Sequence, residues 1–423
     1  MELLQNPGSF RDPSGHVYKY NNRIIRIVKN FGKKRYEFIK EKNLIEESIK
    51  NNFLINTKEI ENEFKNLKSD DCCYFLEHEK LDYISYPYEW GFYQLKDAAL
   101  HHLNFQIFLL EKGAVLIDSS AFNIQFKGNK PVFIDVLSMD KYVEGEYWKG
   151  HSQFLQQFLN PLLLRSLKGI SFNDWYKGNL DGIKTTELND LLSLTDKMSF
   201  NIFFSVVLLS RFEKQNTNDP KKALKRFNKK KALSKTSYRG LLLQLRNWIK
   251  KLEPLQKKTE WGKYSVSNTY KKEQEVKKIK VIKDFSEKFK PNLMADIGCN
   301  DGLYSFESLK SGCKNIIGFD IDTNAIDRAY KKSLKLNLNF MPLYFNATNP
   351  SARLGWFEKE RESFIDRINF DAVIALAFEH HLALANNVPL EEVIKWIMKI
   401  GKNGLIEYVE KTDETVVKML SIK

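Results

Sequence analysis

The chain has little cysteine. Its 423 residues include four, Cys72, Cys73, Cys299 and Cys313, and none falls in a C-x-x-C pair. That excludes the spacing of a structural zinc site or a dithiol redox motif and fits a reducing, cytoplasmic setting. Long apolar runs are lacking too. The longest, Ile202 to Leu209, is interrupted by Ser205, far short of the ~20 residues a membrane-spanning helix needs. Met1 to Tyr20 carries no apolar segment of the secretory type, so no signal peptide is expected. The expectation is a soluble protein with no membrane span and no certain metal site.

What is present points to more than one folded core. A chain of this length exceeds what one core usually supports. Its 43% hydrophobic and 13% aromatic content can fill two or three, which excludes a disordered protein. Charge is unevenly placed. Residues 221–290 hold 23 Lys and Arg against 6 Asp and Glu, a net of +17 in a chain of net +14. The basic character therefore belongs to one segment. It reads as a connection, 221–260, between an N-terminal α+β domain, 1–220, and a C-terminal domain, 261–423.

The organising stretch is Leu293 to Asp322. An apolar run leads to Asp296, then Gly298, Asn300 and Gly302, a short amphipathic helix, a second buried run over Asn315 to Phe319, and Asp320. Strand, glycine turn, helix, strand and acid make half of a nucleotide-binding parallel sheet. The order D-x-G-x-N-x-G differs from the G-x-G-x-x-G of dinucleotide sites. A carboxylate two residues ahead of the first glycine would repel a pyrophosphate, but it suits a ligand bearing an ammonium and a sulfonium. S-adenosylmethionine (SAM) is such a ligand, with Asp320 placed to accept ribose hydroxyls. Strands are also expected at Phe340 to Phe345, ending at Asn346 near the adenine, at Phe370 to Ala377, and at Gly404 to Tyr408. The fourth delivers Phe378, Glu379, His380 and His381 to the edge where such sheets bind ligands. His380 or His381 is the candidate base, since a neutral imidazole can take a hydroxyl proton near neutral pH. Trp261, Tyr264 and Tyr270 precede the first strand, and Tyr270 is a candidate to cover the bound nucleoside.

A second informative stretch lies upstream. Asp118 precedes Asn123 by five residues and Asp135 follows it by twelve, across a hairpin turning at residues 127–130. This layout resembles protein kinases and aminoglycoside phosphotransferases, which implies a kinase-like N-terminal domain with ATP and Mg2+ at Asp118, Asn123 and Asp135. No glycine-rich loop or lysine-bearing strand accompanies it near the N-terminus. The bland alternative is a hairpin whose acids serve as turn and cap residues.

Residues 261–420 resemble a class I SAM-dependent methyltransferase. More narrowly, most of the chain resembles the NoeA-type nodulation and polysaccharide-cluster methyltransferases. Residues 85–100 (SYPYEWGFYQLKDAAL), 118–138, 296–302 (DIGCNDG), 347–356 (ATNPSARLGW) and 375–393 carry that resemblance. It implies that Asp296, Gly298, Asn300 and Gly302 hold the methionine end of SAM, with Asp320 at the ribose and Asn346 by the adenine. It implies a Rossmann-like domain, yet only five strands are evident. The usual sixth and seventh are missing, from a shortened chain or at the cost of an exposed sheet edge. The function expected is O-methylation of a saccharide or glycolipid precursor. Two alternatives remain: an RNA methyltransferase using the basic segment, and a non-catalytic or kinase-like module in polysaccharide assembly.

Overall fold

The computed structural model describes residues 4–60, 71–218, 233–255 and 272–421. Tyr270, Trp261 and Tyr264, and much of the basic connection, lie outside them. The chain divides into two compact units: Met1–Leu81, Leu95–Gln125 and Pro131–Leu255 form the first, and Asp82–Gln94, Phe126–Lys130 and Gln256–Lys423 the second. Two short pieces from the N-terminal half are thus counted with the C-terminal sheet.

The first unit opens with an antiparallel sheet. Its strands are β1 (Leu4–Gln5), β2 (Gly15–Tyr20), β3 (Arg23–Lys29), β4 (Thr57–Glu59) and β5 (Cys72–His78), in the order β1-β2-β3-β5-β4. The β2–β3 hairpin closes on the pair Tyr20–Arg23, with Asn21 left-handed at φ 53°, where asparagine is better tolerated than most residues. One helix expected over Tyr36 to Lys50 is two, Asn30–Glu41 and Leu44–Lys50. Left-handed Asn43, φ 51°, separates them. Short strands follow: β6 (Ala114–Leu116), the hairpin strands β7 (Ile124–Lys127) and β8 (Lys130–Phe133), and β9 (Met139–Lys141). The remainder of this unit is mostly helical.

The second unit is built on a parallel sheet of β10 (Leu293–Ile297), β11 (Asn315–Asp320), β12 (Phe340–Tyr344), β13 (Phe370–Ala375) and β14 (Gly401–Ile406), in the order β12-β11-β10-β13-β14. β10 is buried at every position, as expected of a central strand covered on both faces. The order reverses between β10 and β13, the switch point where such sheets open a ligand crevice. The last strand begins at Gly401 rather than Gly404, because the helix Leu390–Ile400 runs straight into it. A Cβ at Gly401 would stand 2.7 Å from the Ala372 carbonyl carbon, so only glycine makes that entry without displacing β13. Among the described residues, β14 pairs with β13 alone.

Residues 82–94 form a strap within this unit. Trp90 is fully buried, donates its indole N–H to Ser85 Oγ at 2.9 Å and meets Phe126 edge-on at 5.2 Å. Truncating such a residue to alanine typically costs about 3–5 kcal/mol. Beside it, Arg367 and Glu89 form a buried bidentate ion pair, with N–O distances of 2.9 and 2.5 Å. Arg367 also donates to the carbonyls of Ile84 (2.7 Å) and Ser363 (3.2 Å), and its guanidinium lies 4.5 Å from the centre of the Tyr86 ring. Among the described residues no helix is long and apolar enough to cross a membrane.

Candidate functional site

Backbone geometry sets the site. Past the C-terminal end of β10, Gly298 and Cys299 donate N–H groups to Phe319 O, at 2.8 and 3.1 Å, tying the glycine turn to β11. Gly298 has φ 80° and Gly302 φ 84°, a region open to glycine and costly for most other residues. Space agrees with conformation: a Cβ on Gly302 would approach the Phe340 ring to 2.6 Å, and one on Gly298 the Phe378 ring to 3.0 Å. The Phe378 contact brings the loop after β13 against the turn after β10, across the switch point.

Three acceptors gather at this edge. Asp296 is buried and takes one hydrogen bond from Ser305 Oγ, at 2.5 Å. Burial pushes its carboxyl up to about 7. Ser305 opposes the shift and the nearby Asp320 adds to it. Asp320 accepts from the backbone N–H of Asn300 and of Asp322, one on each oxygen, both at 2.8 Å. Burial outweighs those bonds and raises its carboxyl to about 6. Asn300, at φ 47°, has a buried Oδ1 with no hydrogen-bond partner among the described residues. Each carboxylate oxygen has two lone pairs, so Asp320 retains capacity for further donors.

Asn346 lies just past β12. Its carbonyl oxygen accepts from the Thr348 N–H (3.1 Å) and the Thr348 hydroxyl (2.7 Å), which uses both lone pairs. The carbonyl thus closes its own turn, leaving the amide nitrogen for other contacts.

The histidines follow β13. Their rings lie 4.2 Å apart, centre to centre. Burial, reinforced by His380, lowers His381 to about 4. His380 is buried, with Nδ1 3.8 Å from Glu379 Oε1, too far for a hydrogen bond. Glu379 accepts the Val409 N–H at 3.0 Å. Burial would raise this carboxyl, but His380 and the Val409 N–H hold it below its ordinary value.

The other predicted group, in the first unit, is joined by hydrogen bonds. Asn123 Nδ2 donates to Asp118 Oδ2 at 3.1 Å and lies 3.4 Å from Ser138 Oγ, which donates to Asp135. Asp135 is otherwise engaged. It forms an ion pair of 2.5 Å with buried Arg26, whose other terminal nitrogen pairs with Asp12 at 2.5 Å. Burial alone would raise Asp135, but Arg26 and the bonds from Ser138 and Leu137 hold it below the usual carboxylate range. The guanidinium supplies the positive charge a metal would bring, so these residues do not fit Mg2+. Among the described residues no group of three or more His, Cys, Asp or Glu is arranged to hold a metal.

Sequence reasoning passed over several residues that shape these sites. Ser305 is an unremarked helix residue nine positions after Asp296. Arg26 looks like any strand arginine. Glu89 and Arg367 are 278 positions apart, beyond any local pattern.

A central parallel sheet with this glycine turn at its switch point is the Rossmann-like methyltransferase fold. The chain belongs to the NoeA family. It is 40% identical to nodulation protein NoeA of Rhizobium meliloti over 415 residues, 98% of this chain and 87% of that one. A tRNA U34 carboxymethyltransferase of Campylobacter lari is 32% identical over 85 residues, 19% of this chain and 25% of that protein. Among solved structures, an S-adenosylhomocysteine-bound methyltransferase of Podospora anserina aligns at 17% identity and TM-score 0.22, covering 30% of this chain and 50% of that one. WbdD aligns at 18% and 0.26, covering 40% and 37%. Scores so low carry no argument. No protein-family profile matches the chain.

Proposed function

We propose that the second unit binds SAM and methylates a hydroxyl of a saccharide or glycolipid precursor. The observation that supports this most is the set of under-partnered acceptors at one sheet edge: Asp296, Asp320 and Asn300 Oδ1. A ligand carrying an ammonium and a vicinal diol supplies the donors they lack. SAM, when bound, supplies a methyl group on a positively charged sulfur, open to attack by an oxygen nucleophile. Asp296 and Asn300 hold the methionine end, the left-handed glycines let backbone approach it, and Asp320 takes the ribose hydroxyls. His381, kept neutral by burial, accepts the acceptor's proton. Alignment of the two reactants accounts for most of the acceleration, since methyl transfer asks little else of a protein. The four cysteines are free thiols, which suits work in the cytoplasm.

Replacing His381 with Ala should lower turnover while SAM affinity holds; equal turnover in wild type and variant would remove His381 from the reaction. A second reading has one observation in its favour, the local match to a tRNA-modifying enzyme. RNA binding through the basic segment would weaken steeply with salt. A saccharide acceptor would not show that slope.

A further inference from the structure

The loop between β12 and β13 carries two large aromatic side chains that the core does not use. Trp356 is 68% exposed and Phe357 74%. Adjacent exposed rings on a loop at the ligand-binding edge of such a sheet mark a candidate binding surface.

The loop that carries them is built. Phe364 N–H bonds Ser351 O at 3.0 Å, and Leu354 and Arg361 exchange both backbone bonds, at 3.1 and 3.0 Å, making a closed hairpin. Arg353 grips Asp366 through two nitrogens, both at 2.7 Å. Glu360 accepts the Trp356 N–H at 2.8 Å. At the tip Phe357 and Glu358 are left-handed, φ 56° and 55°, a conformation that non-glycine residues hold only when their surroundings impose it, and one that clusters at functional sites. The hairpin is rooted beside the cofactor residues: Phe364 packs on Phe345 at 4.5 Å, and Phe345 donates its N–H to Asp320 O at 2.8 Å.

We propose that Trp356 and Phe357 form a stacking platform for a sugar ring of the methyl acceptor. The inference rests on the methyltransferase reading and names how its acceptor is recognised. A pyranose has one face of C–H groups that lies against an aromatic ring, and a rim of hydroxyls. Residues 354–362 carry Glu358, Glu360 and Glu362 against Lys359 and Arg361, a net of −1; Lys359 Nζ stands 4.6 Å from the centre of the Phe357 ring, which leaves the ring's other face for the sugar. A nucleobase would also stack, but its phosphates need cations, which this tip does not supply in excess. A membrane surface likewise calls for a basic rim.

The test uses the full-length chain on an array of neutral and acidic oligosaccharides, a single-stranded RNA oligomer as comparison, and SAM calorimetry in parallel. Wild type should retain at least one oligosaccharide class. Trp356→Ala with Phe357→Ala should lose retention tenfold or more, with SAM affinity within twofold and an unchanged melting temperature. Trp356→Phe should keep most of the retention while losing the blue shift of emission that the sugar induces. Four results overturn the proposal: no oligosaccharide retained by wild type, retention unaltered in the double variant, RNA retained through the same two residues, or a parallel loss of SAM affinity. Wild type that retains sugar but binds no SAM would refute the methyltransferase reading and leave the platform standing.

Discussion

The two units each gather aspartates around an asparagine, and treat them in opposite ways. In the first, Asp118, Asn123 and Asp135 are bonded to one another through Ser138, and Arg26 holds Asp135 and Asp12 together. Positive charge is already in place, and Asp135 is held ionised. In the second, among the described residues, Asp296 has a hydroxyl donor, Asp320 backbone N–H groups, and Asn300 Oδ1 no donor. Among the described residues no cation pairs with either acid, and burial drives both toward protonation. A buried carboxylate that carries its own counter-ion is finished structure. One that lacks a counter-ion stays protonated or takes its positive charge from a ligand, the role proposed above for SAM.

That contrast can be broken most forcefully at Arg26. Replacing it with Ala leaves buried acid uncompensated and should cost about 3–5 kcal/mol, read as a lower urea midpoint. Replacement by Met, which keeps volume, should cost less in Asp135→Asn than in the native background. If Arg26→Ala is neutral, the ion pair holds nothing together. Next in size are Asp296→Ala and Asp320→Ala. Each removes a charge-assisted acceptor, which should weaken SAM by about 1.5–3 kcal/mol, with binding undiminished in both as the contrary result.

A smaller effect sharpens the same comparison. Asp296 has a folded pKa of about 7 against an ordinary 3.8, so the folded state binds the extra proton between those values. Its contribution to stability is therefore greatest in acid and falls as pH rises from about 4 to 7. Asp296→Asn should flatten that part of the stability profile. A cationic ligand favours the ionised acid, so SAM affinity should rise with pH through the same range. Calorimetry in buffers of different ionisation enthalpy should register proton release near pH 6. Proton uptake would reverse the assignment.

Legibility in the sequence followed the range of the interactions involved. The D-x-G-x-N-x-G turn and the period of buried strands were readable because glycine conformation and parallel-strand burial are local. The spacing of Asp118, Asn123 and Asp135 is local and legible, but it could not show Arg26 reaching Asp135 from β3. The partners of the strap were out of reach for the same reason: Glu89 pairs with Arg367 and Trp90 packs on Phe126, both far along the sequence. Asn346 shows a subtler limit, since its position past β12 was foreseeable and the capture of its carbonyl by Thr348 was not.

The most direct test of this contrast is one calorimetric titration of the intact chain with SAM, run on wild type, Asp296→Ala and Asp135→Ala at the same pH. The account predicts saturable binding by wild type, at least tenfold weaker binding by Asp296→Ala, and unaltered affinity in whatever fraction of Asp135→Ala remains folded. Equal affinity in wild type and Asp296→Ala would contradict it.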